Sequence, residues 1–327
     1  MELLLPHDYV TQATECIKKA KNRISFISLV ITEDSSTNEF IDALAAAAKR
    51  GVEVHVAGDM FTYTELSGQF IPSHYLSKKV RSTTRMARTL ANAGVHFQWL
   101  GRVNITTVSG RTHSKWCVID DTVFSFGGVN LYEEGVLSTD YMFRTHDPKL
   151  AEKLFLEHQR IIRADRNRFD YRSHSFELSK EDESIVLFDA GLFGDSIIYK
   201  HACQLAEKAK HITYVSQYCP TGKLSRLLRQ TESTLYFNPW QATTGFNRFV
   251  IRMGTILTNQ QTEYNHTPYL HAKCMIFEFE DGSKTAITGS HNFVHGGVLL
   301  GTREIALKTN NAAVIKQLEA FIKKHVA

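Results

Sequence analysis

Two stretches of the chain carry the same reactive side chains in the same order. His113-Ser114-Lys115 is followed by Asp120, Gly127, Gly128, Asn130 and Asp140, and His271-Ala272-Lys273 by Glu278, Gly289, Ser290, Asn292 and Glu304. With 15 His and 38 Lys+Arg in 327 residues, about one His-x-Lys arises by chance, so either triplet alone says little. These are the only two in the chain. Each has an acid five residues after its Lys, a glycine-led turn ending in Asn, and a second acid ten or twelve residues beyond that Asn. The conjunction says that one phosphate-handling half-site has been built twice.

Facing a phosphodiester, two such half-sites divide the work. A neutral imidazole attacks phosphorus and forms a covalent phosphohistidine, while the other imidazolium protonates the leaving oxygen. Lys115, Lys273, Asn130 and Asn292 can hold the non-bridging oxygens and offset charge in the transition state. A carboxylate behind each His would fix its tautomer and raise its basicity, and Asp140 and Glu304 are the candidates because each follows its Asn at a similar distance. No metal and no cofactor is required. A lysine stands two residues from each His, where a second metal ligand would be expected, and it would repel a cation.

The elements that must position these groups can be read around them. Trp116-Cys117-Val118-Ile119 and Cys274-Met275-Ile276-Phe277 are apolar strands leading away from each His-x-Lys. Alternation puts His113 and Lys115 on one face and Asp120 on the other, so Asp120 and Glu278 read as structural rather than catalytic. The strand pair continues through Thr122 to Phe126 and turns at Gly127-Gly128 to deliver Asn130. Upstream, Cys16 to Ser28 and Cys203 to Ser216 each read as a helix end followed by a strand. A helix from Asn38 to Arg50, stopped by Gly51, then leads to strands Val52 to Val56 and Val95 to Leu100. Lys223 to Arg229 reads as helix and Ser233 to Phe237 as strand. The stretch before His271 reads as irregular, with Trp240, Phe246 and Phe249 as core or loop packing residues or, as the alternative, contacts to an apolar substrate. This rhythm indicates two α/β halves with mixed sheets flanked by helices, and 327 residues suit two units of about 150. The polar segment from about Asp165 to Glu183 is the expected boundary, giving halves at 1–165 and 180–327.

Hydrophobic content of 43% with 22% charged residues is ordinary for a globular protein, and no apolar run is long enough to span a bilayer. The N-terminal segment lacks the basic region and cleavage site of a signal peptide. Cys16, Cys117, Cys203, Cys219 and Cys274 are scattered and never form a CxxC pair, which favours a reducing, cytoplasmic setting and argues against a zinc cluster. In that setting the Asn104-Ile105-Thr106 and Asn265-His266-Thr267 sequons carry no meaning. The net charge is +4. Lys78, Arg81, Arg85 and Arg88 fall on one stripe of a helix running to about Ala93. A second basic run comprises Arg160, Arg163, Arg166, Arg168 and Arg172. Such runs are either solvated surfaces or attract phosphates of an anionic membrane or of nucleic acid.

His113-x-Lys115-x4-Asp120-x6-Gly127-Gly128-x-Asn130 resembles the HKD motif of the phospholipase D superfamily, and His271-x-Lys273 through Asn292 resembles its second copy. Within that superfamily the chain is most similar to the bacterial cardiolipin synthase branch, on three features: Ala45 to Val54, Phe126-Gly127-Gly128-Val129-Asn130, and Gly289-Ser290-His291-Asn292. The resemblance implies two phospholipase D-like halves with one active site at their interface. It implies a phosphatidyl-histidine intermediate, with His113 as nucleophile and His271 as acid and base. Lys115, Lys273, Asn130, Asn292, Ser290 and Gly128 map onto substrate-binding positions, and Asp140 and Glu304 onto the acids that orient each His. Three departures stand out. Gly128 replaces the usual hydroxyl residue, Glu278 replaces Asp and precedes a spacing four residues longer than in the first copy, and the membrane helices that many cardiolipin synthases carry at their N-termini are not seen.

The reading that follows is a phosphatidyltransferase of cardiolipin-synthase type, peripheral on an anionic membrane and acting on phospholipid. The Lys78 to Arg88 stripe and exposed apolar loops would touch the lipid. A hydrolytic phospholipase differs only in whether water or an alcohol reaches the intermediate. A nuclease could use the same half-sites with the basic stripe tracking a nucleic-acid backbone. It ranks second because regular alternation of aromatic and basic residues is missing. An inactive phosphate-binding scaffold conflicts with two complete His-Lys-Asn sets. Since one chain carries both copies, no obligate protein partner is implied.

Overall fold

A computed structural model describes residues 1–67, 77–101, 111–166 and 173–327. The Asn104-Ile105-Thr106 sequon, Arg168 and Arg172 lie outside the described residues, as do the side chains of Arg166 and Phe246. In chain order the first half comprises β1 (Glu2–Leu4), α1 (Pro6–Lys19), β2 (Arg23–Ser28), α2 (Asn38–Lys49), β3 (Glu53–Asp59), α3 (Phe61–Ser67), α4 (Lys78–Asn92), β4 (His96–Leu100), β5 (Trp116–Ile119), β6 (Thr122–Ser125), α5 (Glu133–Val136), β7 (Met142–His146) and α6 (Pro148–Arg166). The second comprises β8 (Phe176–Glu181), β9 (Ser184–Ala190), α7 (Ile197–Ala206), β10 (His211–Val215), α8 (Gly222–Gln230), β11 (Glu232–Tyr236), α9 (Gly245–Thr258), β12 (Cys274–Glu278), β13 (Lys284–Gly289), α10 (His295–Leu300), β14 (Arg303–Thr309) and α11 (Ala312–His325).

The two halves share a common core of strands, to which β4 adds an edge in the first and β8 an edge in the second. The sheets run β1-β7-β6-β5-β2-β3-β4 and, read the same way, β8-β9-β14-β13-β12-β10-β11. In each, a parallel pair (β2 with β3, β10 with β11) is joined by an antiparallel strand (β5, β12) that opens a meander. The motif strands are apolar through Trp116–Ile119 and Cys274–Phe277 because both faces are covered there. On β5, Trp116 and Val118 point into a core shared by both halves, while Cys117 and Ile119 point into an outer core with α1 and α2. On β12, Cys274 and Ile276 face the shared core, and Met275 and Phe277 the outer core of the second half. Helices α6 and α11 contribute to the shared layer through Leu150, Leu154, Leu318 and Phe321. Ring contacts cross between the halves there: Trp116 lies 6.4 Å from Phe188 and Tyr141 lies 4.8 Å from Phe321.

One expectation changes. The stretch before His271 contains a helix of 14 residues, α9, rather than irregular chain. The segment read as the boundary carries structure at both ends. Asp165 is a buried residue of α6 whose carboxylate accepts the Gly101 N–H at 2.8 Å. Phe176–Glu181 form an edge strand, antiparallel to β9. An edge strand with one face to solvent tolerates the charged residues that hid it.

Candidate active site

Each His-x-Lys segment lies just before its strand, and backbone bonds fasten it to the opposite half. His113 N–H donates to Arg303 O at 2.9 Å, and Arg303 N–H donates to Arg111 O at 2.8 Å. In the mirror arrangement, the His271 and Ala272 N–H groups donate to Thr139 O at 3.0 and 2.9 Å, and Thr139 N–H donates to Tyr269 O at 2.9 Å. The residues after Thr139 and Arg303 are the acids Asp140 and Glu304. Motif order left open which acid serves which histidine; the stitching crosses them. His113 Nδ1 lies 2.9 Å from Glu304 Oε2, and His271 Nδ1 lies 2.7 Å from Asp140 Oδ2. With each carboxylate ionised, Nδ1 must carry the hydrogen, and the lone pair is left on Nε2.

The acids are themselves held. Asp140 accepts the N–H groups of Gly128 at 3.1 Å and Tyr141 at 2.8 Å. Glu304 accepts the Ser290 hydroxyl, whose oxygen in turn accepts Ile305 N–H at 3.0 Å. Ser290 and Gly128 are both turned toward the acids, the first through its hydroxyl and the second through its N–H. At position 128 a Cβ would meet Asp140 Oδ2 at 2.6 Å and His271 O at 2.9 Å, so a side chain there requires these atoms to shift. The motif glycines before them have a shared cause. A Cβ on Gly127 would stand 1.8 Å from Tyr141 O, and one on Gly289 would stand 2.2 Å from Ile305 O, so the turn can approach the acid-bearing strand only without a side chain.

Lys115 and Lys273 are fully buried beneath the histidines. Lys115 Nζ donates to His113 O at 2.8 Å, and Lys273 Nζ donates to His271 O. Burial, joined by repulsion from Lys273, pushes the Lys115 ammonium down to about 7, and burial pushes Lys273 down to about 8. Burial also lowers both histidines, His271 to about 3, so both imidazoles are neutral. Glu304 goes the other way: burial would raise it, but the neighbouring His113 holds it down at about 2. Asp140 is likewise kept below its ordinary value against burial by the His271 hydrogen bond. The site is a desolvated pair of carboxylates and a pair of barely stable ammonium groups, an environment that an incoming anion relieves.

His113, His271, Asn130 and Asn292 all line one cavity of about 850 Å³ of empty space, open to solvent. The Asn130 Oδ1 is occupied by Ser28 Oγ and Val30 N–H, both at 3.4 Å, which orients its amide. Residues missed by sequence reasoning also line it. Arg111 is buried against Asp59, Nη1 to Oδ1 at 2.7 Å, and Tyr269 and Tyr218 are tied together through Gln217 Nε2 at 2.9 and 3.1 Å. Arg111 and Tyr269 each stand two residues before their histidine, so the alternation that linked His to Lys, extended one step back, would have found both. Asp120 lies at the far end of β5, where its carboxylate accepts the N–H groups of Lys21, Asn22 and Arg23 at 2.9, 2.8 and 3.0 Å. Glu278 instead pairs with Lys284 at 3.3 Å. Both are remote from the reactive groups, which explains why their identity differs between the copies.

This geometry can be compared with known proteins. Residues 13–162 match the family model described as cardiolipin synthase, PLD-like domain. Two curated relatives, each named Cardiolipin synthase B, come from Salmonella typhimurium strain LT2 and Salmonella typhi. Each is 28% identical over 154 residues, 44% of this chain and 33% of the relative, so the match spans about a third of their length. The crystal structure of phosphatidylserine synthase from Haemophilus influenzae Rd KW20 covers 100% of this chain and 86% of its own at a TM-score of 0.72 and 15% identity. Polyphosphate kinase from Porphyromonas gingivalis covers 98% of this chain and 46% of its own at a TM-score of 0.62 and 14% identity. These last two likenesses are of fold. The duplicated α/β architecture enclosing paired His-Lys-Asn half-sites is in keeping with the similarity of the first half to a PLD-like domain. The first half of the chain is similar to the PLD-like domain of the cardiolipin synthase family, and the whole chain shares its fold with phosphatidylserine synthase.

Proposed function

We propose that the protein is a phosphatidyltransferase of cardiolipin-synthase type that works through a phosphohistidine on His113. The observation that carries this is the crossed pair: two histidines, each tied through Nδ1 to an ionised acid of the other half, open onto one cavity beside Asn130 and Asn292. In the first step, His113 Nε2 attacks phosphorus and the bond to the leaving alcohol breaks, with His271 supplying the proton that the alcohol carries away. In the second, an acceptor alcohol gives its proton to His271 and attacks phosphorus, which releases His113. Lys115 and Lys273 stabilise charge from beneath the floor, and the two Asn amides hold the non-bridging oxygens. The phosphodiester anion itself raises the histidines toward the protonated form that the acid needs.

The donor on this reading is phosphatidylglycerol or a related phospholipid, met at a membrane surface from the cytoplasmic side. Among the described residues no helix is long and apolar enough to cross a membrane, so lipid contact through surface helices accounts for access. Hydrolysis is the same chemistry with water as acceptor, and nucleic acid is the less favoured phosphodiester. The test is product analysis by mass spectrometry with phosphatidylglycerol vesicles and single-stranded DNA in parallel. Cardiolipin with released glycerol is the expected result. Phosphatidic acid alone would make the protein a hydrolase, and cleaved DNA with untouched lipid would overturn the phospholipid reading.

A further inference from the structure

Helix α9 presents an apolar face to solvent. Phe249, Met253, Ile256 and Leu257 are 61%, 38%, 62% and 75% exposed. Their positions i, i+4, i+7 and i+8 form one face. The opposite face is already satisfied: Ile251 is fully buried, and Gly254 sits over Cys219 so closely that a Cβ would lie 3.2 Å from the Cys219 Cβ. A helix apolar on both sides is neither an ordinary surface helix nor a core one. Its flank is cationic, with Arg248 and Arg252 placed over the Trp240 ring at 5.4 and 5.2 Å. From Ser233 to Thr262 the chain has no Asp or Glu.

The face adjoins the cavity. Asn247, in the first turn of α9, lines it and accepts the Tyr218 hydroxyl at 2.7 Å. On the other half, Lys79 of α4 is paired with Glu134, which also lines the cavity. The exposed Lys78, Arg81, Arg85 and Arg88 stripe continues along that helix. An apolar helix and a basic helix, one from each half, thus reach the same mouth.

Resting on the phospholipid reading above, we infer that the apolar face of α9, flanked by Arg248 and Arg252, docks on an anionic phospholipid surface and brings the cavity mouth to the lipid headgroups. Shallow insertion suits a single helix whose apolar side chains enter the headgroup boundary while arginines and a tryptophan remain at the interface. The basic stripe of α4 adds attraction that salt screens, and α9 adds a contribution that salt does not.

Vesicle flotation with 30% phosphatidylglycerol separates these contributions. The F249E/L257E variant is expected to lose roughly 10-fold or more in vesicle partitioning at both low and high salt, with equal loss of turnover on vesicle lipid. Its turnover of the soluble diester bis(4-nitrophenyl) phosphate should stay within about twofold of the unmodified protein. Unchanged flotation of the variant would overturn the inference. So would gel filtration showing a dimer that F249E/L257E dissociates, since a second copy would then cover this face. Turnover of detergent-dispersed phospholipid by the unmodified protein tests the phospholipid reading on its own, because it needs no docking.

Discussion

Crossing of the acids makes Glu304→Gln an informative perturbation. Glu304 Oε2 receives both His113 Nδ1–H at 2.9 Å and the Ser290 hydroxyl, in a buried setting where its charge is held by the histidine it orients. Glutamine keeps the shape and removes the charge. A hydrogen bond to a charged group is worth about 1.5–3 kcal/mol, and 1.36 kcal/mol is tenfold in rate, so loss of charge alone slows attack by roughly 10- to 150-fold. If the amide nitrogen takes the place of Oε2, two donors face it and His113 must flip its tautomer. That withdraws the attacking lone pair, and the loss then approaches about 10⁴-fold, as for the equivalent change in a Ser-His-Asp triad. Asp140→Asn should act on His271 instead, and the two are separable by leaving group. With a 4-nitrophenyl phosphodiester the departing oxygen needs no proton, so quench-flow should find adduct formation slow in E304Q and nearly normal in D140N, where adduct then accumulates. Rescue of E304Q but not D140N by that leaving group would refute the crossed assignment.

Gly289→Ala should destabilise the fold by about 3 kcal/mol or more, because its Cβ would meet the Ile305 carbonyl at 2.2 Å; a denaturant midpoint like that of the unmodified protein would contradict the packing described. Stability should fall on acidification below about pH 6.5. His271 stays neutral when folded down to about 3, so the unfolded chain binds a proton that the folded one does not. Glu304, at about 2 when folded, adds to the loss below its ordinary value. Lys115, at about 7 when folded, extends the rise in stability from pH 7 toward its ordinary value. Thermal midpoints should therefore climb from pH 4 to pH 8, and a flat profile would remove the buried-charge picture. Added chelator should leave phosphodiester turnover unchanged, because Lys115 and Lys273 occupy the positions flanking the histidines where further metal ligands would be needed.

The fold and the reactive groups were legible in the chain to different depths. Trp116–Ile119 and Cys274–Phe277 read as strands because β-branched and aromatic runs have few alternatives, and the repeated helix-strand order around Cys16 and Cys203 exposed the duplication. The crossing was not legible. It depends on backbone bonds from His113 to Arg303 and from His271 to Thr139, far apart in sequence, which no local pattern reports. Motif position gives Ser290 and Gly128 as substrate-side residues, and their hydrogen bonds to the carboxylates lie beyond what motif position reports. Helix α9 was missed for the reason that makes it interesting. With Ile251 inward and Phe249, Ile256 and Leu257 outward, its apolar residues surround the axis and no single-sided period survives. Edge strand β8 was hidden in the same way by charged residues on its open face.

Peptide mass analysis after acid-free quench of the His271→Ala variant, mixed with a 4-nitrophenyl phosphodiester, tests the two-half site most directly. The account predicts a covalent phosphodiester adduct on the peptide bearing His113, formed rapidly and released roughly 100-fold or more slowly than in the unmodified protein. No adduct in that variant, or an adduct on His271 in the unmodified protein, would contradict it.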